Sequence, residues 1–227
     1  VVLTVHAPDI AQAVKAGQFV NVLPRIAQQD PMLRRPFSVY GTDEAGHVSI
    51  IVQIHGRGTA IIADTMPGES LDMIGPLGNP WNTASGDYDT AVLLIGGVGV
   101  ASMPLLTAKL TASGTPVATY YGARTRTLFA LDRLTGLQLS TDDGSEGYHG
   151  HNVQLLREHL QTKDMLKRLE LVGFKSFADK TVFDFGDGIT GSSNGAWVDL
   201  NADLSAFAGQ TVTLAAGRSR RGRTPRQ

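Results

Sequence analysis

The chain has 227 residues, enough to bury the core of one or two domains. Its 20 lysines and arginines nearly balance 21 aspartates and glutamates, so no overall positive field predicts nucleic-acid binding. The absence of cysteine excludes disulfides, thiolate catalysis and cysteine-held zinc or iron–sulfur clusters among these residues. No apolar run is as long as a membrane span and no signal peptide is recognisable, so we expect a cytoplasmic protein that does not bind membranes.

Residues 1–86 show short strands separated by turns. Apolar and polar residues alternate in five runs, which are VVLTVHA, GQFVNVL, RRPFSVY, HVSIIVQIH and ESLDMIG. Strands at this spacing predict a small antiparallel β-barrel. Between the fourth and fifth runs, Gly56-Arg57-Gly58-Thr59 precedes a short predicted helix, AIIADTM, and forms a candidate anion cradle.

Residues 87–160 alternate strands with helices. The run AVLLI predicts a buried strand that ends at Gly96, Gly97 and Gly99, and a predicted helix follows over 102–110. Such a turn offers backbone N–H groups to a dinucleotide pyrophosphate, although glycines also form tight turns that bind nothing. The predicted strands PVATYYGA and LQLSTDD and the predicted helices TLFALDRL and NVQLLREHL continue the alternation, which indicates a parallel sheet.

Six motifs in this order resemble the ferredoxin-reductase superfamily, and within it the electron-transfer subunits of dihydroorotate dehydrogenase B, over about residues 16–160. The motifs are Arg35-Pro36-Phe37-Ser38, Gly56-Arg57-Gly58-Thr59, Gly75-Pro76-Leu77-Gly78, Gly96-Gly97-Val98-Gly99, Tyr121-Gly122-Ala123-Arg124 and Thr141-Asp142-Asp143-Gly144-Ser145. The resemblance implies a Greek-key β-barrel followed by a Rossmann-like α/β domain. It also implies a flavoprotein that accepts hydride from NADH onto FAD, with a dihydroorotate dehydrogenase catalytic subunit of pyrimidine biosynthesis as its partner.

The same resemblance implies roles for particular residues. Arg35 would pair with the FAD pyrophosphate, Phe37 would pack near the isoalloxazine, and Ser38 would hydrogen-bond the edge of the flavin ring. The remaining residues of the FAD site would be Pro36, Gly56, Gly58 and Thr59. The NAD pyrophosphate would lie on Gly96, Gly97 and Gly99, and its ribose or adenine end would lie near Ala123, Arg124 and Asp142.

Each assignment has a structural alternative. Arg35 is also explained as a solvated strand residue and Phe37 as barrel core. Thr59 is also explained as a helix cap, and Asp142-Asp143-Gly144 as a turn.

The sequence departs from the superfamily after residue 160. There the superfamily continues with a strand ending in a Cys-Gly-Pro-type loop and then a cysteine-rich segment that binds a [2Fe–2S] cluster, and neither segment is present. We therefore expect a truncated NAD-binding domain at 87–160, no iron–sulfur cluster and impaired electron delivery. The alternative is a non-catalytic mosaic or remnant protein with at most weak flavin binding.

The C-terminal part predicts a β-rich extension over 161–217 and a basic, disordered tail over 218–227. Residues 165–190 resemble the opening strands of structural-maintenance-of-chromosomes ATPases, and within them KRLELVGF and TVFDFG predict a hairpin. No Gly-Lys-Ser/Thr sequence follows, so a Walker A phosphate loop for ATP is not supported.

Overall fold

Two five-stranded sheets organise the chain in the computed structural model, which describes residues 1–24, 31–81, 83, 90–162, 168–171, 181–184 and 212–216. The chain divides into two compact units. Unit 1 comprises Val1–Asn82, Val98–Lys109 and Asp132–Leu134, and unit 2 comprises Thr83–Gly97, Leu110–Leu131 and Thr135–Gln227.

The sheet of unit 1 is antiparallel, with the strand order β1-β4-β3-β2-β5. Its elements are β1 (Val2–His6), α1 (Pro8–Ala13), β2 (Phe19–Leu23), β3 (Arg35–Thr42), β4 (His47–Ile51), α2 (Arg57–Ala63) and β5 (Asp72–Leu77). Strands β2, β3 and β4 are successive neighbours, and β5 returns to lie beside β2. This is the Greek-key arrangement, as predicted.

The core of unit 1 lies on one face of these strands. Because strand side chains alternate between faces, β2 contributes Val20 and Val22 and β3 contributes Phe37 and Val39. Ile62 of α2 closes the cluster from the helix side and is fully buried. Burying one such aliphatic side chain stabilises the fold by about 1.5–3 kcal/mol, so this alternation fixes which face of β3 points inward.

The sheet of unit 2 has the order β12-β6-β7-β8-β9. Its strands are β6 (Thr90–Gly96), β7 (Val117–Ala123), β8 (Leu137–Thr141), β9 (Tyr148–His149) and β12 (Val212–Ala216). Strands β6 to β9 pair in parallel, which confirms the predicted parallel sheet. Helix α4 (Asn152–Thr162) follows β9; helix α3 (Pro104–Ala112) follows β6 in the chain, and its residues up to Lys109 belong to unit 1.

The C-terminal extension contributes strands in two places. Strand β12 pairs antiparallel with β6, from Val212 opposite Leu94 to Ala216 opposite Thr90. Strands β10 (Arg168–Leu171) and β11 (Thr181–Asp184) pair antiparallel with each other, as the predicted hairpin requires. The resemblance of 165–190 to chromosome-associated ATPases stays a prediction.

The predicted helix over 127–134 is wrong. A single 3-10 turn spans Arg126–Leu128, and the following chain is irregular up to β8. Arg133 has φ +68°, a left-handed conformation that a helix does not contain. Within unit 1, Tyr40 Oη donates to Asp132 Oδ1 at 2.6 Å, and the Arg133 guanidinium carbon lies 5.8 Å from the Tyr40 ring centroid. These long-range contacts override the local helical pattern.

The helix after the glycine turn begins later than predicted. A 3-10 helix occupies Gly97–Ser102, and α3 starts at Pro104 instead of residue 102. Proline suits the first turn of an α-helix because its missing N–H would have no intrahelical partner there.

Candidate functional site

The guanidinium of Arg35 lies against the first turn of α2, inside unit 1. A Cβ atom placed on Gly58 would lie 3.0 Å from Arg35 Nη2, 3.1 Å from Nε and 3.2 Å from Cζ. Arg35 Nη1 donates to the carbonyl oxygen of Leu33 at 2.6 Å, which orients the group. Arg35 is half-buried, and its role toward a pyrophosphate stays a prediction. Two of the predicted FAD-binding motifs therefore meet at one place.

The hydroxyl of Thr59 is engaged in hydrogen bonds with the loop before α2. Its Oγ1 accepts the N–H groups of His55 and Gly56 at 2.9 and 3.2 Å, and it donates to the Gly56 carbonyl oxygen at 2.9 Å. A hydroxyl has one proton to donate, so these bonds support the capping alternative for Thr59. The role of Thr59 toward a phosphate stays a prediction.

Gly56 leaves the entrance to this helix turn open. No heavy atom lies within 4 Å of the position that a Gly56 Cβ would take, and Gly56 is exposed. Its backbone is extended, with φ −178°, which any residue adopts. Gly56 is therefore not required by the backbone conformation; its missing side chain leaves the first turn of α2 accessible to a ligand.

Neighbouring residues of β3 point to opposite faces of the sheet. Phe37 is 8% exposed and belongs to the core of unit 1, which supports the barrel-core alternative. Ser38 and Pro36 lie on the other face, where Ser38 is half-buried and Pro36 is exposed. Phe37 therefore shares its face of β3 with Arg35, whose long side chain reaches Gly58.

The glycine turn after β6 has open space beside its backbone. No heavy atom lies within 4 Å of a Cβ placed on Gly96 or Gly97, and Gly97 has φ +49°. The Gly97 carbonyl oxygen accepts the Tyr121 hydroxyl at 3.1 Å. Burial raises the pKa of Tyr121, so the phenol keeps its proton for this bond. The Gly99 carbonyl oxygen accepts the Ser102 hydroxyl at 3.2 Å.

Other predicted dinucleotide residues lie at the carboxyl edge of the unit 2 sheet. Parallel register places Gly96 beside Gly122 and Ala123 beside Thr141. The N–H of Asp142 donates to the Ala123 carbonyl oxygen at 3.1 Å. Ligands of open α/β sheets bind at this edge, and the role of these residues toward a dinucleotide stays a prediction.

Arg124 and Asp142 are exposed at the ends of β7 and β8. Asp142 Oδ1 lies 3.3 Å from His151 Nδ1, a contact that becomes an ion pair when the histidine is protonated. The carbonyl oxygen of Arg124 accepts the Asp143 N–H at 3.2 Å. The predicted turn at Asp142 is therefore present, and the Asp142 side chain is exposed to solvent.

Sequence reasoning missed Asn152, the first residue of α4. Its side-chain Nδ2 donates to the Ile95 carbonyl oxygen at 2.6 Å and to the Tyr120 carbonyl oxygen at 3.3 Å. Asparagine at a helix start is ordinarily explained as a cap, and no sequence signal distinguishes that role from this one. The amide instead joins α4 to β6 and β7.

The described part of the chain contains neither a metal-binding cluster nor a membrane-spanning helix. There, no group of three or more His, Cys, Asp or Glu side chains is arranged to hold a metal ion. Within the same ranges, no helix combines the length and apolar character needed to cross a bilayer.

The residues present fit two anionic diphosphates. In unit 1, a guanidinium and the start of α2 converge beside Gly58, where a side chain at residue 58 would press on Arg35. At Gly96, the space that a Cβ would fill is empty of protein atoms, so a ligand can approach the backbone. Arginine forks and glycine turns are the donors that phosphate oxygens prefer in nucleotide sites.

Solved structures define the class of protein. The fold is similar to that of an NADH-dependent reduced ferredoxin-NADP oxidoreductase studied for flavin-based electron bifurcation, with a TM-score of 0.62 and 26% identity, covering 71% of this chain and 59% of that chain. It is also similar to a ferredoxin NADP+ reductase from Neisseria gonorrhoeae, solved with bound FAD and NADP, with a TM-score of 0.55, 18% identity and 70% of each chain covered. The two sheets thus form a ferredoxin-reductase-like fold.

Sequence relatives define the family. The chain is 33% identical over 170 residues to the dihydroorotate dehydrogenase B (NAD(+)) electron transfer subunit of Geobacillus kaustophilus, covering 72% of this chain and 66% of the relative. The subunit of the same name from Streptococcus pneumoniae serotype 4 is 30% identical over 183 residues, covering 78% of this chain and 72% of the relative. The chain belongs to the family of dihydroorotate dehydrogenase B electron-transfer subunits.

The match is partial in length. The chain spans 66% of the Geobacillus kaustophilus relative and 60% of the corresponding subunit of Desulforamulus reducens, which is 33% identical over 161 residues, or 68% of this chain. A comparison with protein-family models found no match.

Proposed function

We propose that the chain is a flavoprotein electron-transfer module that binds FAD on unit 1 and NADH at the carboxyl edge of the unit 2 sheet. When bound, FAD supplies the hydride acceptor, and the protein supplies binding and orientation. The relatives named as electron-transfer subunits of dihydroorotate dehydrogenase B (NAD(+)) support NADH as the substrate. They also support a dihydroorotate dehydrogenase catalytic subunit as the partner.

The contact between Arg35 and Gly58 is the observation that carries the FAD assignment. It brings a permanently charged, planar donor group to the helix start that also contains Gly56 and Thr59. Ser38 itself is half-buried and is not part of the core cluster of unit 1, so we assign its hydroxyl to the edge of the flavin ring. Pro36 lies two residues before Ser38 on the strand, is exposed and does not belong to the core cluster.

The open glycine turn supports the NADH assignment. At Gly96 the backbone is approachable because no side chain fills the adjacent space. Gly97 and Gly99 continue the same turn, and each offers its carbonyl oxygen to a hydroxyl of the protein, which holds the turn in shape. Ala123, Arg124 and Asp142 would receive the ribose or adenine end.

The electrons leave the flavin without an iron–sulfur cluster held by these 227 residues, because the sequence contains no cysteine. Delivery to the partner would be impaired relative to a protein that carries such a cluster. Iron and labile sulfide would be measured after anaerobic reconstitution. A stoichiometric cluster would contradict this part of the proposal.

Flavin titration of two arginine variants tests the FAD assignment. Arg35→Ala removes a charge-assisted contact worth about 1.5–3 kcal/mol, so we expect FAD to bind about 10- to 150-fold more weakly. Arg34→Ala is the matched control, because Arg34 is the neighbouring arginine, its Nη2 pairs with Asp72 Oδ2 at 2.7 Å, and it is not among the residues assigned to FAD. If Arg35→Ala binds FAD as tightly as the parent protein, the assignment is wrong.

A visible absorption spectrum before and after addition of NADH tests the activity. The purified protein should show flavin absorbance, and NADH should bleach it under anaerobic conditions. A protein that holds stoichiometric FAD but is not reduced would contradict the NADH assignment alone. A protein that takes up no FAD would contradict the whole proposal.

A further inference from the structure

One serine hydroxyl connects the loops that follow β7 and β8. Ser145 Oγ accepts the backbone N–H of Arg126 at 2.9 Å and donates to Asp143 Oδ1 at 2.5 Å. It also lies 3.4 Å from Thr125 Oγ1. The backbone N–H of Ser145 donates to the same carboxylate oxygen at 3.0 Å. A single side chain thus joins segments that are 19 residues apart in sequence.

Two backbone hydrogen bonds reinforce this connection, two and three residues earlier in each loop. The Asp143 N–H donates to the Arg124 carbonyl oxygen and the Asp142 N–H donates to the Ala123 carbonyl oxygen, at 3.2 and 3.1 Å. The loop after β8 is also closed at its far end, where Thr141 Oγ1 donates to the Glu146 carbonyl oxygen at 2.8 Å. The two loops therefore form one hydrogen-bonded unit at the carboxyl edge of the sheet.

A turn that merely reversed the chain would not need this arrangement. The bonds between Asp143 and Ser145 suffice for a local turn, since they lie within two residues. The bond from Ser145 to the Arg126 N–H reaches a different loop and is exposed to water, where a net hydrogen bond contributes little to stability. Exposed loops that a scaffold holds in a fixed position commonly carry binding residues.

We propose that Ser145 is a positioning residue for the dinucleotide, which fixes Ala123, Arg124 and Asp142 in the arrangement that receives its ribose–adenine end. The inference rests on the proposed function, because it concerns the same NADH site. Ser145 itself need not touch the ligand. Its hydroxyl keeps the loop that carries Arg124 at a constant distance from the loop that carries Asp142.

The experiment is an anaerobic NADH titration of the protein with its FAD chemically reduced beforehand, so that no hydride is transferred, followed by the change in NADH fluorescence. We expect Ser145→Ala to weaken NADH binding about 2- to 10-fold, the effect of one lost net hydrogen bond, with FAD content unchanged. Ser145→Thr retains the hydroxyl and should restore the affinity. Ser113→Ala is the matched control, because Ser113 Oγ donates to the Leu110 carbonyl oxygen at 2.8 Å in the turn before β7, at the opposite edge of the sheet.

The outcomes separate this inference from the function on which it rests. Weaker binding in Ser145→Ala, rescue by threonine and no change in Ser113→Ala would support it. A parent that binds NADH and a Ser145→Ala variant that binds equally well would overturn it and leave the proposed function intact. A parent that holds FAD but binds no NADH would overturn both. Loss of FAD or of cooperative unfolding in Ser145→Ala would assign the serine to stability instead.

Discussion

Replacing Gly58 by alanine should make the protein a poorer FAD binder without making it less stable. The added methyl carbon would lie 3.0–3.2 Å from three atoms of the Arg35 side chain, closer than the ordinary contact distance of 3.4–4 Å. The nearest atoms belong to the end of a flexible side chain rather than to backbone, so the guanidinium moves by a few tenths of an ångström and the fold remains.

The two expected effects have opposite signs. Gly58 lies in the first turn of α2, where alanine is about 0.5–1 kcal/mol more favourable than glycine. Displacing the Arg35 guanidinium forfeits up to the full value of its charge-assisted contact, about 1.5–3 kcal/mol of FAD affinity. We therefore expect an apoprotein that is equally or more resistant to unfolding and that binds FAD up to about 150-fold more weakly.

Flavin fluorescence titration and urea unfolding of the apoprotein measure the two effects separately. The double variant Gly58→Ala with Arg35→Ala completes a mutant cycle. If Gly58→Ala acts through Arg35, the double variant binds FAD no more weakly than Arg35→Ala alone. Additive losses would refute the reasoning, as would a Gly58→Ala protein with unchanged FAD affinity.

Four further outcomes are expected. Gly96→Ala should weaken NADH binding and leave the melting temperature unchanged, because its methyl group enters open space. Gly97→Ala should weaken binding and also destabilise the fold by about 1 kcal/mol, because Gly97 has φ +49°. Equal melting temperatures of the two variants would argue against this. Hydrogen bonds from Ser145 lower the pKa of Asp143, so this carboxylate stabilises the fold at neutral pH. The contribution disappears as the pH falls through the lowered pKa. A carbon NMR titration should show that the pKa of Asp143 is higher in Ser145→Ala than in the parent protein. Tyr40→Phe should reduce the free energy of unfolding by about 1–2 kcal/mol through loss of its 2.6 Å hydrogen bond, and an unchanged urea midpoint would contradict that.

The sheets were predictable because their signals are local. The run AVLLI is short and wholly apolar, and β6 is buried from Ala91 to Ile95 as a central parallel strand requires. The turn residues between the first five strands likewise separated them correctly. In both cases the pattern within ten residues contains the information that determines the element.

Elements that depend on distant contacts were not predictable. The sequence TLFALDRL has helical spacing, but contacts of Asp132 and Arg133 with β3 hold it in another conformation. The pairing of β12 with β6 joins residues that are more than 100 positions apart, and no sequence pattern specifies such a partner.

The candidate site shows the same division. Glycines marked the two motifs of the candidate site in which the backbone is approachable, at Gly56 and at Gly96. The approach of Arg35 to Gly58 was not visible in the sequence, because it depends on how α2 packs beside β3. Ser145 had a local signal, a serine two residues after an aspartate, but its bond to the other loop had none.

The pairing of β12 with β6 bears on how the protein behaves at high concentration. An apolar strand with an unpaired edge is a template for strands of other molecules, and β6 contributes five consecutive buried residues to its sheet. Val212–Ala216 occupies that edge within the same molecule. Mutations that release this strand, such as proline at its centre, would therefore promote aggregation before they abolish the fold, and light scattering would detect the change.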